Sequence, residues 1–424
     1  MGKGFFKTES APSKAPIPLL PRCGVCNLYR YCKSPKMPVD GKGHKGILVI
    51  GEGPGFNESE QGKPFVGKSG QLLWEILSKY GVEREDCWIT NAVICRPTRT
   101  ENGKILNRTP TPKEIEYCRP NVVNTIKELK PDVVVLLGAS AVKSVLGWLW
   151  KEEVGQISQI SRWDGWRIPD MQINAWVAPT FHPSYVMRPE EGEVEREAGA
   201  DKDEPLRKIL FSRHLEAACK LRGKPWPNGP PDYRSKVKII LDPKEAAKQI
   251  MEIAANSGEI AFDYENSPLK PQRKDAFIYC CSVSDGRTAI AYPWTGEAID
   301  ATKEILRWES VGKIASNMKH EEGWSRRFGF EVRNWVWDTM VAAHVLDNRP
   351  SISSIKFQAY CRLGQPAWEA KIKPYFKSKG SNEHNRIKEA NLTEVLRYCG
   401  MDSLMEYKVA KLQMKEMERR SNGK

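Results

Sequence analysis

Cys23 and Cys26 form a C-x-x-C pair in "PRCGVCNLYRYCKSP", and single cysteines follow at Cys95 and Cys118. A close pair with two later singletons can enclose a [4Fe–4S] cluster or a tetrahedral zinc ion. The same spacing is open to a plainer reading, in which Cys95 and Cys118 are small buried apolar residues and Cys32 is a spare thiol. Further along, "IAFDYEN" sets Asp263 and Glu265 two apart on a strand, hence on one face. Adjacent carboxylates repel unless a cation joins them, so the pair points to a divalent metal. "ASNMKHEEGW" adds Asn317 and Glu321, four apart on an expected helix, with Glu322 competing for the same role by register. "RYCGMDSLMEY" adds Tyr398 and Asp402, again one helical turn apart. Taken singly, each pair also fits a solvated helix face.

A third stretch, "GEGPGFNESEQGKPFVGKSG", contains a literal P-loop pattern: Gly62, four residues, then Gly67-Lys68-Ser69. A phosphate-binding loop must join a strand directly to a helix, so that backbone N–H groups cradle the anion at the helix N-terminus. Here the apolar run Ile47–Ile50 ends well before Gly62, and Gly51-Glu52-Gly53-Pro54-Gly55 follows it instead. The match is therefore read as coincidental.

The elements that must position these residues fall into two groups. "GILVIGEG", "CWITNAV" and "PDVVVLLGASAVKSVLGWL" read as buried strands followed by helical patterns, which suggests an α/β fold with a mainly parallel sheet. "GKPWPNGPPDYRSK" packs four prolines and two glycines into a linker. After it come "VKIILD", "EIAFDYEN" and "IYCCSVSDGRTAIAYPW" as strands, then long helical segments. The expected organisation is a lead at 1–20, a first domain at 21–222, a linker at 223–236 and a second domain at 237–424. The acidic stretch "RPEEGEVEREAGADKDEP" reads as an exposed loop or insertion.

Composition narrows the partners. Lys and Arg number 66 against 53 Asp and Glu, a net charge of +13 that favours a polyanion, nucleic acid foremost. Eleven cysteines with no secretory pattern at the N-terminus argue for a reducing, cytoplasmic compartment. No run reads as a membrane span.

The ordered series "CGVC…VIGEGPGFNESEQGKPFVGKSGQLL…ITNAVICRPTRTENGKILNRTPTPKEIEYCRP…PDVVVLLGASA…FHPSYVMR" resembles the family 4, iron–sulfur uracil-DNA glycosylases from about Cys23 to about Leu221. The resemblance implies a three-layer α/β/α glycosylase fold and a [4Fe–4S] cluster on Cys23, Cys26, Cys95 and Cys118. Glu52 would handle the attacking water, with Gly53, Pro54 and Gly55 close to the deoxyribose. Phe65 would stack on the flipped base, and Asn91 would read its Watson–Crick edge. His182, neutral or cationic, would donate to uracil O2, and Ser184 to Arg188 would enter the DNA minor groove. Lys63 and Lys68 would meet phosphate. Two departures stand out: the family usually has Ala where this chain has Gly53, and "TENGKI" is an apparent insertion.

The second half, about Val237 to Met414, resembles the DEDDy 3′–5′ exonuclease domain of family A DNA polymerases, a ribonuclease H-like α/β fold. The likeness rests on Asp263, Glu265, Asn317, Glu321, Tyr398 and Asp402 in that order, and continues through "WDTMVAAHVLDNR" and "SSIKFQAYCRLG". It implies two Mg²⁺ or Mn²⁺ ions, one on Asp263, Glu265 and Asp402, the other on Asp263 and Glu321. Tyr398 would orient the water, while Asp338 would be structural. The departure is Glu321, where the family has Asp. No polymerase segment follows, so a separately encoded polymerase is the expected partner. Two other readings remain: a glycosylase whose exonuclease half only grips DNA, and a non-catalytic replication accessory.

Overall fold

A computed structural model describes residues 22–150, 160–188 and 206–423. The expected lead, and all of the acidic stretch except Arg188, lie outside them. The described residues fall into two compact units, one holding those up to Trp148 with Pro179–Lys220, the other Ser161–Ala178 with the chain from Leu221 onward.

In the first unit, strands β1 (Ile47–Gly51), β2 (Cys87–Asn91) and β5 (Val133–Leu137) pair in parallel, with β1 in the middle. All five residues of β1 and of β5 are buried, which is the mark of a sheet covered on both faces. Helix Lys68–Lys79 buries Leu73, Ile76 and Leu77, an i, i+3, i+4 stripe. The insertion forms an exposed hairpin of β3 (Thr98–Glu101) and β4 (Lys104–Asn107), turning through Asn102 and Gly103, both at positive φ. The parallel register sets Gly51 opposite Asn91, so the carboxyl ends of β1 and β2 lie side by side. That is where ligands bind in open α/β sheets.

In the second unit, β6 (Ile168–Asp170) and the start of β7 (Ala175–Thr180) pair antiparallel. The proline-rich stretch is anchored by Trp226, whose indole N–H donates to the Pro169 carbonyl at 2.9 Å. The main sheet comprises β8 (Val237–Ile239), β9 (Glu259–Ser267), β10 (Phe277–Ser284), β11 (Ala289–Pro293), β12 (Gly312–Ala315) and β13 (Trp335–Asp338), in the order β13-β12-β9-β10-β11-β8. The hairpin-linked β9, β10 and β11 run antiparallel, and β12 and β13 join β9 in parallel. This is the ribonuclease H-like arrangement.

The two faces of β9 do different things. Ile260, Phe262 and Tyr264 enter the core beneath helices Pro243–Ala255 and Glu297–Arg307. Ala261, Asp263 and Glu265 face the other way, toward helix Leu392–Ser421, which packs across β9 and β10. Asn391 caps that helix by accepting from the Glu394 N–H.

Close approach of the long helix to the sheet depends on Gly400. A Cβ there would lie 2.3 Å from Val237 Cγ1 and 3.3 Å from Ala291 Cβ. Alanine gains about 1 kcal/mol of helix propensity, but overpacking costs about 1–3 kcal/mol. Gly400→Ala is therefore expected to lower the thermal unfolding midpoint; a raised midpoint would show that the helix has room to spare.

Candidate functional site

At the carboxyl ends of β1 and β2, a pocket in the first unit is lined by Glu52, Gly53, Pro54, Gly55, Phe65, Asn91, His182 and Ser184. Its walls need glycine. A Cβ at Gly51 would come within 2.4 Å of the Phe65 ring and 2.5 Å of Asn91 Oδ1, so Gly51 is what lets those two side chains meet. Gly138, at φ +85°, passes so close to His182 that a Cβ would sit 2.8 Å from that residue's own. Phe65 is buried, at φ +53°, a conformation costing about 1–3 kcal/mol in a non-glycine residue. Its carbonyl is held there by the Trp74 indole N–H at 3.2 Å and the Arg84 guanidinium at 3.3 Å, with Asp40 pairing Arg84.

Two partners of this pocket, Glu58 and Ser140, are not among the residues singled out from the sequence. Glu58 accepts from the N–H groups of Gly55, Val66 and Gly67 at 3.1, 3.2 and 2.9 Å, tying the glycine turn to the Phe65 loop. It also disposes of the P-loop match, because a carboxylate already holds the N–H groups a phosphate would need. Ser140 donates to Glu52 Oε2 at 2.8 Å and fixes that carboxylate's orientation. Ser184 donates its backbone N–H to His182 Nδ1 at 3.2 Å, which leaves the proton of the neutral ring on Nε2. Burial pushes the His182 pKa down to about 4, so the ring is neutral at pH 7. Beyond it, Tyr185, Met187 and Arg188 are exposed. Lys63 and Lys68 are exposed at the Phe65 loop.

Cys23, Cys26, Cys95 and Cys118 line a second, almost wholly apolar pocket with Leu28, Val93 and Ile94. Cys23 and Cys26 bracket a single helical turn, and Cys95 accepts the Lys36 backbone N–H at 3.2 Å. Burial pushes the Cys118 thiol up to about 12, an environment that a thiolate tolerates only with a cation beside it. Cys32 lies against Cys95.

The second unit gathers the carboxylates. Asp263 and Glu265 lie on one face of β9, and their oxygens and the Cys399 sulfur are within 4.8 Å of one another. Burial first, then the charge of Asp402, pushes the Asp263 carboxyl up to about 8. Glu265 and Glu321 are raised well above the ordinary range, by burial and then by Asp263. Asn317 differs from expectation: it is the left-handed residue capping helix Met318–Arg327, outside the helix, held by Asp338 Oδ1 at 3.0 Å from its N–H. Asp338 also accepts from Met318, Met340 and Val341, a structural clamp. Of the competing acids, Glu321 is buried toward Asp263, whereas Glu322 turns away to Arg326 and the Trp335 indole. Lys356, absent from the sequence reading, bridges the Tyr398 hydroxyl at 2.6 Å and Asp402 Oδ2 at 2.8 Å, and the Trp368 indole donates to Asp402 Oδ1 at 3.0 Å. Burial works against the Lys356 charge, but Asp402 holds its pKa above the usual value.

Comparison with known proteins finds two families in the chain, one for each half. Residues 38–209 match the uracil DNA glycosylase superfamily, and residues 238–418 match a 3′–5′ exonuclease family. The type-4 uracil-DNA glycosylase of Pyrobaculum aerophilum is 37% identical over 172 residues, covering 40% of this chain and 82% of that protein. The Thermotoga maritima type-4 enzyme is 40% identical over 150 residues, covering 35% and 70%, and that of Saccharolobus solfataricus is 32% identical over 209 residues, covering 48% and 84%. The chain belongs to the type-4 uracil-DNA glycosylase family, joined here to a 3′–5′ exonuclease domain.

Gly53 tests the turn beside the pocket. A Cβ there would meet Pro97 at 3.4 Å and the Val93 carbonyl at 3.5 Å, ordinary contacts, and its φ is not positive. Gly53→Ala is therefore expected to fold and to gain about 0.4–1 kcal/mol by restricting the unfolded chain. Denaturant unfolding that shows a loss would mean that the turn is tighter than this.

Proposed function

We propose that the chain is a two-activity DNA enzyme that excises uracil in its first unit and trims 3′ ends in its second, with domains at 21–222 and 237–424. The observation that carries the first activity is the convergence of Glu52, Phe65, Asn91 and His182 on one pocket. Uracil flipped from the stack lies against Phe65, and the Asn91 amide donates to O4 and accepts from N3–H, a pairing cytosine cannot return. As C1′–N1 breaks, its electron pair leaves with the base. Neutral His182 donates Nε2–H to O2 and stabilises that charge. Glu52, aligned by Ser140, positions water at C1′ and takes its proton as the C1′–O bond forms. The Gly53-Pro54-Gly55 backbone lies along the sugar, while Ser184, Arg188, Lys63 and Lys68 engage the DNA backbone and groove.

The four cysteines, gathered on one apolar pocket, suit a [4Fe–4S] cluster, which takes four cysteine thiolates. A cluster held there would be structural, pinning the turn of Cys23 and Cys26 to the Cys95 loop and the Cys118 helix.

In the second unit, Asp263, Glu265, Glu321 and Asp402 suit hard divalent cations, Mg²⁺ or Mn²⁺, which when bound supply charge neutralisation and an activated water. Tyr398 would orient a water there and Asn317 would lie beside the incoming strand, while Lys356 holds the Tyr398 hydroxyl and Asp402 in place. The burial of Glu321 toward Asp263 favours catalysis over mere DNA gripping. The match to a polymerase-type 3′–5′ exonuclease family supports a DNA polymerase as partner, and the eleven cysteines support a reducing cytoplasm.

One uracil-containing oligonucleotide assayed with Mg²⁺ and with EDTA separates the activities. Base loss is expected in both conditions and end trimming with Mg²⁺ alone. His182→Ala is expected to slow base loss about 100- to 1,000-fold and leave trimming intact, and Asp402→Asn to do the reverse. Uracil release that stops with EDTA, or survives His182→Ala unchanged, would contradict the assignment.

A further inference from the structure

We propose that Glu406 is a fifth carboxylate of the exonuclease metal site, holding the second cation with Asp263 and Glu321. The inference rests on the exonuclease reading above, and it assigns a residue that the DEDDy pattern does not contain.

Position on the long helix carries the argument. Tyr398, Asp402, Glu406 and Ala410 follow one another at four-residue intervals and form a single stripe. The stripe's ends are fixed against the sheet. Next to Tyr398, the Cys399 thiol contacts the Asp263 carboxylate, and Ala410 packs on Ala261 of β9 and Ile314 of β12. Ala261 is two residues before Asp263 on the same face, and Ile314 leads into the segment that presents Glu321. Glu406, one turn before Ala410, is thus carried over the gap between Asp263 and Glu321.

The state of its carboxylate agrees. Glu406 is 3% exposed and Glu321 is 3% exposed, and Oε2 of each is buried with no hydrogen-bond partner among the described residues. After burial itself, the charges of Asp263, Glu321 and Asp402 push the Glu406 carboxyl up, with Lys356 opposing them. A buried carboxylate oxygen without a donor costs several kcal/mol. An apolar side chain would fill this space without that cost. Lys356 eases the charge only from a distance, because its ammonium hydrogen-bonds Tyr398 and Asp402. A hard cation with oxygen ligands satisfies Glu321 and Glu406 together. It also gives a use to the longer side chain at 321, since two glutamates reaching from opposite elements meet an ion that a shorter acid would have to approach alone.

The test uses the full chain, with Mn²⁺ as the probe. Isothermal titration calorimetry, checked by counting free Mn²⁺ with electron paramagnetic resonance, is expected to find two ions on the wild type. Glu406→Gln is expected to weaken the second ion about 10- to 100-fold, while its far-UV circular dichroism, which reports folding of both units, and its uracil release are unchanged. Glu406→Asp keeps the charge one methylene short and is expected to fall between the two, so the reading survives should Glu406→Gln fold poorly. In EDTA, Glu406→Gln is expected to melt no lower than the wild type, and to gain less on adding Mn²⁺. Two ions bound with wild-type affinity by both variants would overturn the proposal. A wild type that releases uracil but binds no Mn²⁺ would overturn the exonuclease reading along with it.

Discussion

Water is kept from most of the His182 ring, and that exclusion decides what the histidine can do. An imidazole in solution titrates near pH 6.5; desolvated here, with the Ser184 N–H directed at Nδ1, it stays neutral and offers one fixed donor, Nε2–H. A fixed neutral donor needs no reorganisation as charge arrives on the leaving base, which is where preorganised polar groups act most strongly. The rest of the pocket serves that arrangement. Gly138 allows the His182 backbone to close in, Gly51 lets Phe65 and Asn91 reach the same cavity, and the strained Phe65 is held by Arg84 and Trp74.

The same loss of water works in the opposite sense on acids. Glu58 and Asp338 are each given three or more backbone N–H groups, and Glu52 is given the Ser140 hydroxyl; these carboxylates build or align. Burial pushes Asp263, Glu265, Glu321 and Glu406 toward the protonated form, and neighbouring carboxylates add to it, Asp402 for Asp263 and Asp263 for the other three. Their ionised forms call for cations.

Much of this was legible in the residues. Gly51 through Gly55, Asn91 and His182 were drawn to one cavity by their match to the glycosylase family's motifs, since each alone also reads as a turn, cap or loop residue, and the strand alternation of Asp263 and Glu265 put both acids on one face. Helical spacing handled Tyr398 with Asp402 correctly but placed Asn317 inside a helix that it caps, because a left-handed cap has the same four-residue offset from Glu321 as a helical residue. Glu58, Ser140 and Lys356 were illegible for a common reason: each acts through a contact with a distant or turn-related segment, and their residue types occur everywhere on solvated surfaces. Glu406 carried a usable signal, an acid continuing the Tyr398–Asp402 interval by one more turn. The choice between Glu321 and Glu322 needed the packing, since adjacent helix positions differ by about 100° of rotation.

The most direct test of this account is the side-chain ¹⁵N spectrum of His182, followed from pH 8 to pH 5 in the folded chain and assigned with a His182→Gln control. The expected result is a neutral ring throughout, protonated at Nε2 and not at Nδ1. A midpoint near pH 6.5, or a proton on Nδ1, would contradict it.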